Sequence, residues 1–140
     1  MFDELNKYKN NDHFFLKPAG DISKVCNAPA DKAGVYMVYA LIRGGVDMVY
    51  IGHCGEISKD GEFVVPAGGL KEDFINGKMG GVLRKNVWLK NMKKEGAEAI
   101  DVYWYVTHNG KFIDSPKKVA DKILKKHKDI FGRLPRWNGI

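Results

Sequence analysis

Two apolar runs, 33–42 and 46–52, are joined by the short link Arg43-Gly44-Gly45, and this arrangement restricts the fold more than any other feature of the chain. Both runs are rich in β-branched and aromatic residues, and a polar link with two glycines suits the backbone of a tight hairpin. Such a hairpin sets Gly34-Val35-Tyr36 beside Tyr50-Ile51-Gly52 on neighbouring antiparallel strands. Two phenols then share one patch at a sheet surface.

The rest of the chain supplies material to cover that sheet. Residues 100–107, Ile-Asp-Val-Tyr-Trp-Tyr-Val-Thr, have the strongest strand composition, and Asn109-Gly110 turns the chain after them. Residues 79–95 carry helix formers whose apolar positions scatter around the wheel, with Arg84, Trp88 and Asn91 on one face at i, i+4 and i+7. The last helix is clearly punctuated: Ser115 as N-cap, Pro116 at its first position, Gly132 just past its end. Between them Val119, Ala120, Ile123, Leu124, His127, Ile130 and Phe131 repeat at helical spacing, which puts position 120 on the buried stripe. Residues 1–32 read as a helical or irregular lead-in, broken by Pro18, Gly20 and Pro29, whose Phe14, Phe15 and Leu16 can cover one side of the sheet. Residues 54–77 read as an inserted loop, with a short hairpin around Lys59-Asp60-Gly61. The expected architecture is α+β: one domain over 1–140 with a small, mainly antiparallel sheet of about three strands flanked by helices.

At 140 residues and 44% hydrophobic content, the chain can bury a core of its own. No stretch approaches the roughly 18 apolar residues that a membrane span needs. The start, Met1-Phe2-Asp3-Glu4, lacks the pattern of a secretory leader, so a cytoplasmic location is expected. Cys26 and Cys54 form neither a disulfide framework nor a CxxC pair. Charge is unevenly placed. Residues 1–77 hold 8 basic and 11 acidic side chains, whereas residues 78–140 hold 15 and 6. A basic half suggests a polyanion partner, most simply nucleic acid, against the plainer alternative of lysine-rich helix faces that keep the protein in solution.

The Gly34-Val35-Tyr36 and Tyr50-Ile51-Gly52 pair resembles the signature of the GIY-YIG nuclease superfamily. Three later features resemble the same pattern in order. Arg84 stands on the first helix after the signature, where the family has its catalytic arginine, and 100–107 corresponds to the third strand. The helix over 119–124 corresponds to the one carrying the family's metal-binding glutamate, and Asn138 resembles the late asparagine that closes the motif set. The resemblance spans 33–138. It implies a DNA endonuclease that hydrolyses phosphodiester bonds with Mg²⁺ or Mn²⁺, with Tyr36, Tyr50, His53, Arg84 and Asn138 as catalytic positions. Lys78, Lys85, Lys90, Lys117 and Lys118 are the expected nucleic-acid contacts. Because one centre cuts one strand, double-strand cleavage would need a homodimer or two visits.

The chain departs from the pattern at position 120, where the family's glutamate should stand and this sequence has Ala120. Asp121 points about 100° away around the helix and is no substitute. Ala120 marks either a naturally inactive relative or an alanine introduced to silence the enzyme, and the intact tyrosines and arginine favour the second. The encoding gene would then carry a glutamate codon; a native alanine sinks that idea.

The chemistry explains why these residue types would be used. Phosphodiester hydrolysis needs a deprotonated water, charge stabilisation at phosphorus, and help for the leaving oxygen. A phenol with a pKa near 10 becomes a base only beside a cation or metal, which Arg84 could supply while bonding a phosphate oxygen through its planar fork. Mg²⁺ is commonly held by one or two carboxylates plus substrate phosphate, so without an acid at 120 metal affinity and turnover should fall while phosphate binding survives. His53 follows Tyr50-Ile51-Gly52 where the family often has a basic residue that acts on the water. Two other readings stay open: a non-catalytic nucleic-acid-binding module that kept the fold but lost the metal site, and an RNA-processing or protein-interaction domain. His13, His108 and His127 are expected to be structural or exposed, and Trp104, Tyr105 and Trp137 to pack rather than bind.

Overall fold

The hairpin forms as its sequence suggests. A computed structural model describes residues 2–139 and pairs β2 (Gly34–Ile42) with β3 (Gly45–Cys54), turning on Arg43 and Gly44, both with positive φ (51° and 77°). Arg43 is the one non-glycine residue with positive φ among the described residues, and a two-residue turn with positive φ at both positions matches the right-handed twist of the strands. A bulge between Val38 and Tyr39 inserts Val49 into the ladder.

The sheet has four strands, one more than expected. The lead-in contributes β1 (Asn11–Leu16), which pairs antiparallel with β6 (Ala99–Val106), giving the order β1-β6-β2-β3 with every pairing antiparallel. Phe14 and Leu16 therefore enter the core as strand residues, not as a cover, and Phe15 points the other way, 49% exposed. The sequence hides this strand because Asn11-Asp12-His13 is polar. Its pairing comes from the exposed edge of β6, which offers a free row of backbone groups.

Alternation along the strands gives the sheet two different faces. One carries Tyr36, Val38, Tyr50, Val102 and Trp104 and is covered by α1 (Ile22–Val25), α2 (Gly69–Asn76) and α3 (Arg84–Glu95). The other carries Val35, Met37 and Ile51 and is covered by α4 (Pro116–Phe131) and the 3-10 turn Asp3–Lys7. The expected loop 54–77 thus contains a helix, α2, although Ile57 and Phe63 do bridge around the Lys59-Asp60-Gly61 turn. The expected helix from 79 begins only at Arg84, because the two-residue strands β4 (Lys78–Met79) and β5 (Val82–Leu83) form a small hairpin on Gly80-Gly81, where both glycines have positive φ.

The last helix is punctuated as expected: the Ser115 hydroxyl accepts from the Lys118 amide, Pro116 is the first helical residue, and Gly132 closes the end in the left-handed region. Its buried stripe stops at His127, however. Ile130 and Phe131 are more than half exposed, because the chain leaves the sheet there. The tail then returns along the open edge of β3. The Trp137 amide donates to Val49 O, the Trp137 ring is buried, and its indole donates to Glu95 at 2.8 Å. Among the described residues no helix is long and apolar enough to cross a membrane.

Candidate functional site

Tyr36, Tyr50, Arg84 and Trp88 meet on the face covered by α2 and α3. Across the ladder Tyr36 faces Gly52 and Tyr50 faces Val38, so the phenols are diagonal neighbours with ring centroids 6.1 Å apart. Trp88 stands edge-on to both, at 6.1 Å from Tyr36 and 5.6 Å from Tyr50. The Arg84 guanidinium lies 5.8 Å from the centre of the Tyr36 ring and 6.0 Å from that of Trp88.

Three glycines explain how these groups come so close. A Cβ at Gly52 would overlap the Tyr36 ring, and one at Gly34 would run into the backbone of Tyr105 on β6. A Cβ at Gly77 would come within 2.8 and 2.9 Å of the two terminal nitrogens of Arg84. The glycines of both tripeptides are therefore required by packing.

A residue the sequence reading missed ties the cluster together. Asp73 on α2 accepts from Arg84 Nη1 at 3.2 Å and from the Tyr36 hydroxyl at 3.4 Å, and its backbone oxygen accepts from the same Arg84 nitrogen at 3.0 Å. Nothing around Asp73 in the sequence announces this role; it depends on α2 folding back over β3. Arg84 is buried, as is Tyr36. Burial raises the Tyr36 pKa well above 10, outweighing the opposing effect of Arg84 and reinforced by Asp73 and Tyr50. The phenol therefore keeps its proton at physiological pH and donates to Asp73. Burial works against the Arg84 charge, but Tyr36 and Asp73 hold its pKa above the usual arginine value.

Among the described residues, two donors in this centre have no acceptor. Arg84 Nε and Trp88 Nε1 are buried without a hydrogen-bond partner, as is Asn91 Nδ2 one turn further along α3. All three lie on the helix face that the sequence spacing groups together.

The other expected site residues are placed elsewhere. His53 stands opposite Val35 near the end of β3, where burial lowers its pKa against the pull of Asp121 and Asp73. It lines a cavity of about 260 Å³ with Glu72, Asp73, Asn76 and Gly77, so it borders the cluster without bonding to it. Asn138 spends both ends of its amide on the β3 backbone, accepting from Ile51 N at 2.9 Å and donating to Ile51 O at 2.8 Å. It extends the sheet edge and positions the second tripeptide.

Ala120 is on the other side of the sheet. It is 1% exposed and packs with Val35, Met37, Ile51 and Ile123, whereas Tyr36 and Arg84 lie across the strands from it. The expected join of position 120 with the tyrosine–arginine cluster is therefore not formed. Asp121 is exposed and paired with Lys117 at 3.1 Å. The basic positions divide in the same way: Lys78, Lys85 and Lys90 flank Arg84 on β4 and α3, while Lys117 and Lys118 lie on α4.

These residues do not fit the divalent ion that the resemblance implies. Position 120 offers a methyl group in an apolar layer, Asp73 is engaged by Arg84 and Tyr36, and among the described residues no group of three or more His, Cys, Asp and Glu side chains is arranged to hold a metal. What the cluster offers is hydrogen-bond donors: buried N–H groups, a neutral phenol and flanking ammonium groups. In comparisons with family models, curated proteins and solved structures, none matches this chain.

Proposed function

We propose that this chain is a nucleic-acid-binding module that holds backbone phosphate at the α3 side of the Tyr36–Arg84 cluster, on a scaffold resembling GIY-YIG nucleases but without their metal ligand. The observation that carries this reading is the pair of acceptorless donors, Arg84 Nε and Trp88 Nε1, beside the phenols. A buried donor left unpaired costs about 1–3 kcal/mol, and because both nitrogens are sealed from solvent a buried water would recover it by relaying them to a phosphate oxygen at the surface. Lys78, Lys85 and Lys90, on the segment that presents Arg84, supply the long-range attraction.

The test is fluorescence anisotropy with a labelled DNA duplex at several salt concentrations. Binding should weaken with salt along a straight log–log line, and Trp88→Phe, which keeps the ring and removes the N–H, should reduce affinity several-fold. Salt-insensitive binding, or a Trp88→Phe protein that binds like the parent, would end this reading.

The clearances at Gly34, Gly52 and Gly77 favour a second reading, because a module that only binds has no need to hold a buried tyrosine and arginine so tightly. On that reading the chain is an Mg²⁺-dependent DNA endonuclease disabled at position 120. Incubating the parent and Ala120→Glu, each shown to be folded by its thermal unfolding, with supercoiled plasmid and Mg²⁺ decides it: nicking by either supports the second reading, and intact plasmid with both leaves binding as the function.

A further inference from the structure

The tail that returns along β3 leaves a groove of about 500 Å³ between itself and the second half of α3. Val87, Lys90, Asn91 and Lys94 wall it on the helix side, and Arg136 and Trp137 on the tail side. The far wall is fixed. Glu95 accepts from Arg136 Nε at 2.8 Å and Nη2 at 2.6 Å and from the Trp137 indole at 2.8 Å, and the Trp137 ring is buried. The groove is therefore formed before anything enters it, and little ordering is left to oppose binding.

Charge is divided along the groove. At the tail end Arg136 is shared by Glu95 at 2.6 Å and Asp47 at 3.3 Å, so its charge is already matched. At the helix end Lys90 and Lys94 are exposed and make no ion pair among the described residues. They stand four positions apart on one helix face, where like charges repel, and an anion between them removes that repulsion. Lys93, in the same last turn, gives the helix C-terminus a cation without lining the groove, so Lys94 is not needed for that purpose. Asn91 lies beside the two lysines. Neither end of its amide makes a hydrogen bond among the described residues, and only Nδ2 is sealed from solvent. A half-turn about its last torsion brings the NH₂ group outward and gives up no bond.

We infer that this groove holds a second backbone phosphate of the nucleic acid, between the Lys90 and Lys94 ammonium groups and the outward-turned Asn91 amide. This second contact depends on the reading above, that α3 meets a nucleic-acid backbone, and extends it toward the tail. Lys94 is ten residues past Arg84, about 15 Å along the helix axis, too far for one phosphate to meet both. The two contacts lay the backbone along α3, from Arg84 toward Trp137. Phosphate contacts fix register and orientation without reading bases, so the groove positions the nucleic acid and adds no sequence preference.

The test is anisotropy with the labelled duplex over a salt series. Lys90→Gln with Lys94→Gln should weaken binding roughly tenfold and flatten the log–log salt slope by about one, the share of one neutralised phosphate. Asn91→Asp, which sets a carboxylate in the groove, should weaken binding several-fold. The control, Lys122→Gln with Lys128→Gln, removes the same charge from exposed positions on α4, across the sheet, and should keep the parental affinity and slope. All four lysines are exposed, so the comparison stays informative if Asn91→Asp misfolds. Parental affinity and slope in the Lys90→Gln, Lys94→Gln protein overturn the inference. So does an equal loss in the α4 control, since the effect is then one of net charge. Trp88→Phe leaves the groove lysines in place, so the two contacts fail separately. A parental Trp88→Phe beside a weakened groove variant removes the Arg84 contact and keeps the groove; the reverse pattern removes the groove alone.

Discussion

Arg84 Nη1 donates to Asp73 twice, to the carboxylate at 3.2 Å and to the backbone oxygen at 3.0 Å, and this contact ties α3 to α2 above the Tyr36 ring. It is an ion pair with little access to water: the Arg84 side chain is 8% exposed and that of Asp73 21%. A charge held in such a place becomes expensive when its partner is removed, even where the pair itself adds little to stability.

Asp73→Ala should therefore lower stability by about 3 kcal/mol, the cost of an unpaired buried guanidinium. Arg84→Met in the same chain should restore part of that loss. Urea unfolding of the two single variants and the double variant checks this. Equal and additive losses would show that the two residues do not depend on each other.

Gly52→Ala should destabilise by about 1–3 kcal/mol, because the new methyl group overlaps the Tyr36 ring, which has no free space to move into. Gly110→Ala is the control, since a Cβ there meets nothing within 4 Å. Thermal unfolding of the pair separates a packing effect from a general effect of glycine replacement.

Removing the Asn138 amide strips two bonds from the exposed edge of β3. Asn138→Ala should cost about 1–2 kcal/mol and raise amide exchange at Ile51, while the Ile51 carbonyl regains water. Asn138→Asp should not rescue it, because a carboxylate cannot donate to that carbonyl. Duplex affinity should stay at the parental level in both, as befits a positioning residue.

Stability should fall on mild acidification. Burial lowers the pKa of both His53 and His108, and His108 Nε2 accepts the Ala33 amide at 3.0 Å, which requires a neutral ring. For a histidine with a depressed folded pKa, the stability present above its unfolded value of about 6.5 is lost as pH falls through the folded value. Urea midpoints at about pH 7.5 and pH 5.5 should differ. His108→Gln should lessen that difference, and an unchanged pH profile in this variant would remove His108 from the account.

Local chemistry made much of this protein legible in its sequence. The Arg43-Gly44 turn, the Ser115–Pro116 start and Gly132 end of α4, and the β6 run each depend on residues within one or two turns of chain, so composition and spacing suffice. The diagonal meeting of Tyr36 and Tyr50 needs the Val49 bulge as well as the turn, because the unbulged register set by Ile42 and Gly45 would put Tyr50 opposite Met37, on the other face. The strand β1 was not legible, because its polar first half pairs only with an edge supplied by residues about 90 positions later. Nor was Asp73, whose role needs α2 to fold back over β3.

Position 120 marks that boundary most clearly. Helical periodicity was enough to put Ala120 on a buried stripe, and it is buried. Which face of the sheet that stripe covers is set by where α4 packs, and α4 packs against Val35, Met37 and Ile51, away from Arg84. A strand's alternation separates its side chains onto two faces but says nothing about which helix will cover each one. The sequence by itself determined the β2–β3 turn, β6 and the bounds of α4; only the tertiary structure decided β1, the bulge that brings the tyrosines onto one face, and which side chains share a site.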